Sequence, residues 1–82
     1  MRIRKQELGD RNIIGARVEA RRKELGMKQK DFLARLQVEG MDINASGLSK
    51  LEGQIRGVYD YELSIIARVL GVTVGQLLDG EL

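Results

Sequence analysis

Two charged residues interrupt the helix-period apolar stripes of this chain at positions that otherwise pack inward. Arg22 lies four residues after Val18 and three before Leu25, and Glu52 lies four after Leu48 and three before Ile55. Residues at those spacings share one helix face. Burying either charge alone is unfavourable, but a guanidinium and a carboxylate satisfy each other through a two-pronged hydrogen-bonded contact. The pattern therefore pairs Arg22 with Glu52 as a structural ion pair that locks the first helix to the third. Loss of Glu52 alone strands Arg22, at a cost of about 3 kcal/mol. The competing reading puts both residues at stripe edges, with their charged ends snorkelling to water.

Caps and periods place the helices. A first helix is predicted over residues 13–25, with the stripe Ile14, Val18, Arg22, Leu25; Asn12 can accept from free amides at its start and Gly26 supplies a left-handed stop. A second, over 29–36, keeps Phe32, Leu33 and Leu36 on one side, with Met27 able to staple against Phe32 and Lys28 a poor cap. The connection "QVEGMD" either stays a loop or prolongs the helix until Gly40 breaks it. The stretch "DINASGLSKLEG", capped by Asn44 or Asp42, forms the third helix, with Leu48, Leu51 and Ile55 at helical spacing. Its outward positions hold Ala45, Ser46, Gly47, Ser49 and Lys50, so that side is nearly bare. A fourth helix begins after Asp60, carries Leu63, Ile66, Ala67 and Leu70, and ends on Gly71; "VTVGQLL" begins a fifth, with Thr73 and Gln76 as a capping box and Val72 facing Leu77. The expected fold is all-α, a compact bundle of about five short helices.

Composition then removes whole classes of function. The chain has 82 residues, neither Cys nor His, and only three aromatics. An aliphatic core in one small domain fits this better than a large pocket. Without Cys and His, zinc, haem and nucleophilic catalysis lack their usual ligands and bases, so no metal, no cofactor and no enzymatic activity is expected. No apolar run approaches a membrane span and "MRIRKQELGD" lacks a signal peptide's hydrophobic stretch, so no membrane association and a cytoplasmic location are expected. With no Pro and no repeat, the chain reads as one domain over 12–82 behind a basic arm over 1–11. Charge is uneven: residues 1–36 hold eleven Lys or Arg against five acids, and 37–82 hold three against seven. A polyanionic partner or solvated helix faces would each account for the basic half.

The segments "GARVEARRKELGMKQKDFLARL", "INASGLSKLEG" and "ELSIIARVLGVTVGQLL" resemble the XRE family of lambda-repressor-like helix-turn-helix domains, across about residues 13–79. The matching positions are Arg22 late in the first helix, Gln29 opening the second, Ser49 with Glu52 in the third, and Ala67, Leu70, Gly71 and Val72 before the last. In that family the late Arg commonly pairs with the Glu of the recognition helix. The chain departs from the pattern in four places. About five residues lengthen the turn of the helix-turn-helix at "QVEGM", Leu33 stands where a small residue is usual, Lys28 replaces a Thr or Ser cap, and Gly53 follows Glu52 directly where the family tends to place Gly one residue later.

The resemblance implies binding to double-stranded DNA, with Ala45, Ser46, Gly47, Ser49 and Lys50 toward the bases. Ala45 suits a thymine methyl and Lys50 guanine acceptors. A bare helix face lets backbone approach base edges and phosphates closely. At Gly47 such an approach would justify a helix-interior glycine, as would a frayed first turn. Lys28, Gln29 and Lys30 at the start of the second helix and Arg56 after the third would contact phosphates. The amino-terminal "RIRK" follows a groove or is a loose tail. The expected function is a bacterial or phage-type transcriptional regulator acting by operator occupancy. A homodimer through the C-terminal helix is the expected assembly, although Val74 and Leu77 could equally complete the monomer core. The alternative is a protein-interaction adaptor on the same scaffold.

Overall fold

The first helix starts where Asn12 folds its side chain over the chain ahead of it, Oδ1 accepting from the amides of Ile14 (3.1 Å) and Gly15 (2.7 Å). The computed structural model describes residues 9–80. The expected basic arm is therefore described only over 9–11, and "RIRK" lies outside the described residues. Five helices follow one another: α1 (Gly15–Glu24), α2 (Gln29–Val38), α3 (Ala45–Glu52), α4 (Asp60–Leu70) and α5 (Val74–Asp79). No strand occurs among the described residues, and α1 and α2 each pack against both α3 and α4, with α5 docked on α4. The all-α reading holds.

The helix stops follow the glycines. Gly26 takes φ +70°, the Met27 amide reaches back to Arg22 O (3.0 Å) and Gly26 N donates to Lys23 O (2.9 Å), which satisfies the last carbonyls of α1. Leu25 lies beyond the final turn and is exposed, so the α1 stripe ends at Arg22 rather than at Leu25. The α2 helix continues to Val38 before Gly40 turns at φ +100°, so the "QVEGMD" segment is part helix and part connection. Lys28 is extended and makes no side-chain cap. Met41 and Ile43, in that connection, are buried in the core. Their two-residue alternation belongs to an extended segment and is invisible to a search for helical stripes.

Asn44, not Asp42, caps α3, its Oδ1 accepting from Gly47 N at 2.7 Å. The helix ends before Ile55, which is exposed instead of extending the Leu48 and Leu51 stripe. Gly53 sits at φ −83° and does not use its freedom; the left-handed position is Gln54, φ +64°. Its strain is offset by Nε2 donating to Asn12 O at 2.8 Å. Position 54 is where the resembled family tends to carry its glycine.

On α4, Ile65 and Ile66 are buried while Leu63 is only half-buried, so the inward face is centred on Glu62, Ile65, Ile66 and Leu70. The α5 capping box forms in both directions, Gln76 N to Thr73 Oγ1 (3.0 Å) and Thr73 N to Gln76 Oε1 (2.9 Å). Leu77 is fully enclosed and Val74 packs against the core, so both finish the monomer. Leu78 is the large apolar side chain that α5 leaves exposed.

Close approach of backbones sets the joint between α1 and α3. A methyl at Gly15 would stand 2.2 Å from Leu51 O and 2.9 Å from Glu52 O, so no side chain fits there. Asn12 reinforces the joint by donating Nδ2 to Leu51 O (3.1 Å) and Arg56 O (2.7 Å). One side chain thus opens α1 and ties down the end of α3.

Candidate nucleic-acid interface

The α3 helix is held from behind by the predicted ion pair. Arg22 Nε donates to Glu52 Oε2 at 2.7 Å and Nη2 to Oε1 at 3.1 Å, in the bidentate geometry. Arg22 is 7% exposed and Glu52 2%, which rules out the snorkelling reading. The remaining lone pairs and protons are also used: Arg22 Nη1 reaches Met27 O (2.9 Å) and Gln29 Nε2 donates to Glu52 Oε1 (3.0 Å). With every group satisfied, the charges can be buried without leaving an orphan.

Gln29, expected to contact a phosphate, is half-buried and gives one side-chain N–H to the buried network. One N–H of the primary amide remains uncommitted.

In front of this anchor, Ala45, Ser46, Ser49 and Lys50 are all exposed and Gly47 is half-buried. A methyl at Gly47 would come 3.1 Å from Ile43 Cγ1 and 3.2 Å from Asn44 Oδ1. The absent side chain there is explained locally, by the cap and by Ile43 turning into the core. The Gly47 position in the first turn also makes its conformational cost small.

Arg56, expected to contact a phosphate from the loop after α3, is engaged within the chain. Its two Nη atoms hold both carboxylate oxygens of Glu62, at 3.1 and 3.0 Å, and Nη1 also donates to Gly57 O at 2.9 Å. Glu62 is 1% exposed and accepts from the Tyr59 amide as well, at 3.0 Å. Burial pushes its carboxyl pKa up, but the Arg56 and Tyr59 hydrogen bonds outweigh that and hold it below the ordinary value. Its own hydrogen bonds to Glu62 raise Arg56 above its ordinary value, against the desolvation that lowers it. This second clasp was missed although the signal that exposed the first was present: Glu62 precedes Ile65 and Ile66 by three and four residues, a charge on an apolar face.

The basic half of the chain thus divides into spent and unspent cations. Arg17 Nη1 caps α5 through Leu77 O (2.7 Å) and Leu78 O (2.8 Å), and Arg21 Nε caps α4 through Leu70 O (3.1 Å) while pairing with Glu24. These arginines serve helix C-termini, where cations are favoured. Lys28, Lys30, Arg35 and Lys50 are exposed, and none forms an ion pair among the described residues. Lys28 and Lys30 border the start of α2, which has no side-chain cap, and Lys50 projects from α3 itself. No helix among the described residues is long and apolar enough to cross a membrane. Comparison with protein-family models, with curated proteins and with solved structures finds no match for this chain.

Proposed function

We propose that this chain binds double-stranded DNA by seating α3 in the major groove, and that it regulates transcription in a bacterial or phage-type setting by occupying an operator. The observation that carries the reading is the combination at α3. Its outer side is exposed and poor in side chains, it is fixed from behind by a buried bidentate clasp, it carries Lys50, and α2 packed against it begins with Lys28 and Lys30, three exposed cations that form no ion pair among the described residues. A groove-entering helix needs close backbone approach, rigid support and cations placed for phosphates on either side. The uncapped start of α2 adds oriented amides that favour a phosphate oxygen. The resemblance to XRE-family domains supports the same reading, since its Arg and Glu positions are those of the clasp. In a dimer, two copies of α3 about 34 Å apart would engage successive major grooves on one side of the duplex. The cytoplasm is the location that this function requires.

A second reading, an adaptor for a protein partner, draws on the groove between α2 and α4, lined by Ala34, Arg35, Val38, Glu39, Arg68 and Val69, with Val38 strongly exposed at its edge. Titration of the full chain against random duplex over a salt series separates the two. DNA binding gives log affinity falling linearly with log salt, and Lys28→Ala or Lys30→Ala flattens the slope by about one. Replacing Arg56 and Glu62 together leaves the slope unchanged, because that pair carries no net charge. Absence of duplex binding at low salt overturns the proposal in favour of the adaptor.

A further inference from the structure

Away from α3, the groove between α2 and α4 joins exposed apolar surface to an arginine with nothing to hold. On α2, Asp31 and Arg35, and Ala34 and Val38, stand four residues apart and share a face turned away from the buried Phe32 and Leu36. Val38 is 84% exposed, more than any other large apolar side chain among the described residues. Across from it, α4 contributes the half-buried Val69 and Arg68, and the lining is mostly apolar. The arginines of the groove differ in what they have left to give. Arg68 Nη1 is paired with Glu39 Oε1 (2.8 Å), and where the groove continues toward α1, Arg21 Nε donates to Leu70 O (3.1 Å) while its Nη1 pairs with Glu24. Arg35 stands where the two parts meet, and its side chain forms no ion pair among the described residues, not even with Asp31 one turn earlier. Three arginines against the two acids Asp31 and Glu39 line the whole groove, so its charge favours an acidic occupant. A helix suits it better than a strand. No strand among the described residues offers an edge for pairing, whereas an amphipathic helix lays its apolar stripe between two helices.

We infer that the α2–α4 groove docks an acidic amphipathic helix of a protein partner, whose apolar stripe covers Ala34, Val38 and Val69 and whose carboxylate is taken by Arg35 in the two-pronged geometry. The inference names the occupant of the groove on which the adaptor reading draws, and it holds whether or not α3 enters a duplex. None of the groove residues belongs to α3 or to 28–30. Operator occupancy and partner docking therefore use separate side chains of one small domain.

The test titrates the full chain with two helical peptides of about fifteen residues and follows amide chemical shifts. One peptide carries leucines at three- and four-residue spacing flanked by glutamates; the other has lysines in place of the glutamates. The expected result is saturable shifts at Ala34, Arg35, Val38, Arg68 and Val69 below about 1 mM glutamate peptide, with the lysine peptide about tenfold weaker. Arg35→Glu, an exposed substitution that leaves the core untouched, inverts that order, and Val38→Ser weakens the glutamate peptide several-fold. No shift in the groove at that concentration overturns the inference, as does equal binding of the two peptides or of a scrambled glutamate peptide that lacks the stripe. Shifts centred on Lys28, Lys30 and Lys50 overturn it too, since they mark attraction to the basic half at large. A short duplex that shifts Arg35 and Val38 assigns the groove to nucleic acid and overturns it equally. Loss of duplex binding at α3 does not alter the peptide result, so the two proposals fail separately.

Discussion

The Arg22–Glu52 and Arg56–Glu62 clasps use the same two-pronged chemistry in different settings. The first joins residues thirty apart and brings α1 against α3; the second spans six residues and shapes the loop into α4. Both carboxylates are enclosed, but the side chain of Arg22 is 9% exposed and that of Arg56 23%. A buried pair between distant helices fixes their arrangement, because either partner left alone has no route to water. A pair with one partner at the surface fixes a local turn and keeps an exit for its arginine. The two sites therefore share a motif and differ in consequence.

The largest effect is expected from Glu52→Ala, which lowers stability by about 3–5 kcal/mol in urea unfolding, enough to unfold much of so small a domain. Replacing Arg22 and Glu52 together with Met and Leu recovers most of the loss. A shift below about 1 kcal/mol for the single variant would remove the contrast between the clasps. Gly15→Ala comes next, at about 1–3 kcal/mol, because its new methyl meets the Leu51 carbonyl at 2.2 Å. Gly57→Ala serves as the control, since nothing lies within 4 Å of that position and its φ is not in the left-handed region.

A smaller loss, about 1–2 kcal/mol, is expected for Glu62→Ala, because Arg56 can turn outward. The freed guanidinium adds a cation near α3, so duplex affinity at low salt rises and the salt slope steepens by about one. An unchanged slope would mean that Arg56 stays folded onto the protein without its carboxylate. The smallest effect concerns pH. Because the folded pKa of Glu62 is depressed, its clasp contributes stability above the unfolded carboxyl pKa of about 4.3. That contribution disappears as pH falls through the folded value. Stability measured from pH 7 down to 3 therefore declines less steeply in Glu62→Gln than in the wild type.

The same comparison shows what the sequence disclosed. Arg22 and Glu52 stood inside stripes that were recognised, and the resulting pairing has the predicted geometry. Glu62 obeys the same rule, but a stripe that begins at Leu63 leaves it out, although Ile66, Ala67 and Leu70 of that stripe are buried, and so the pairing with Arg56 is not part of the expectation. The Gly26 and Gly71 stops and the Thr73 box were legible because each acts within a few residues. The Gln29 commitment, the burial of Met41 and Ile43, and the Gly15 approach to Leu51 depend on which elements meet, and local periodicity carries no record of that.

The most direct test of the central claim is amide chemical-shift mapping of the full chain titrated with a short duplex. The account predicts perturbations concentrated on residues 44–50 of α3 and 28–30 at the start of α2, diminishing as salt is added. Shifts centred instead on Ala34, Arg35, Val38, Arg68 and Val69, or no shifts at low salt, would contradict it.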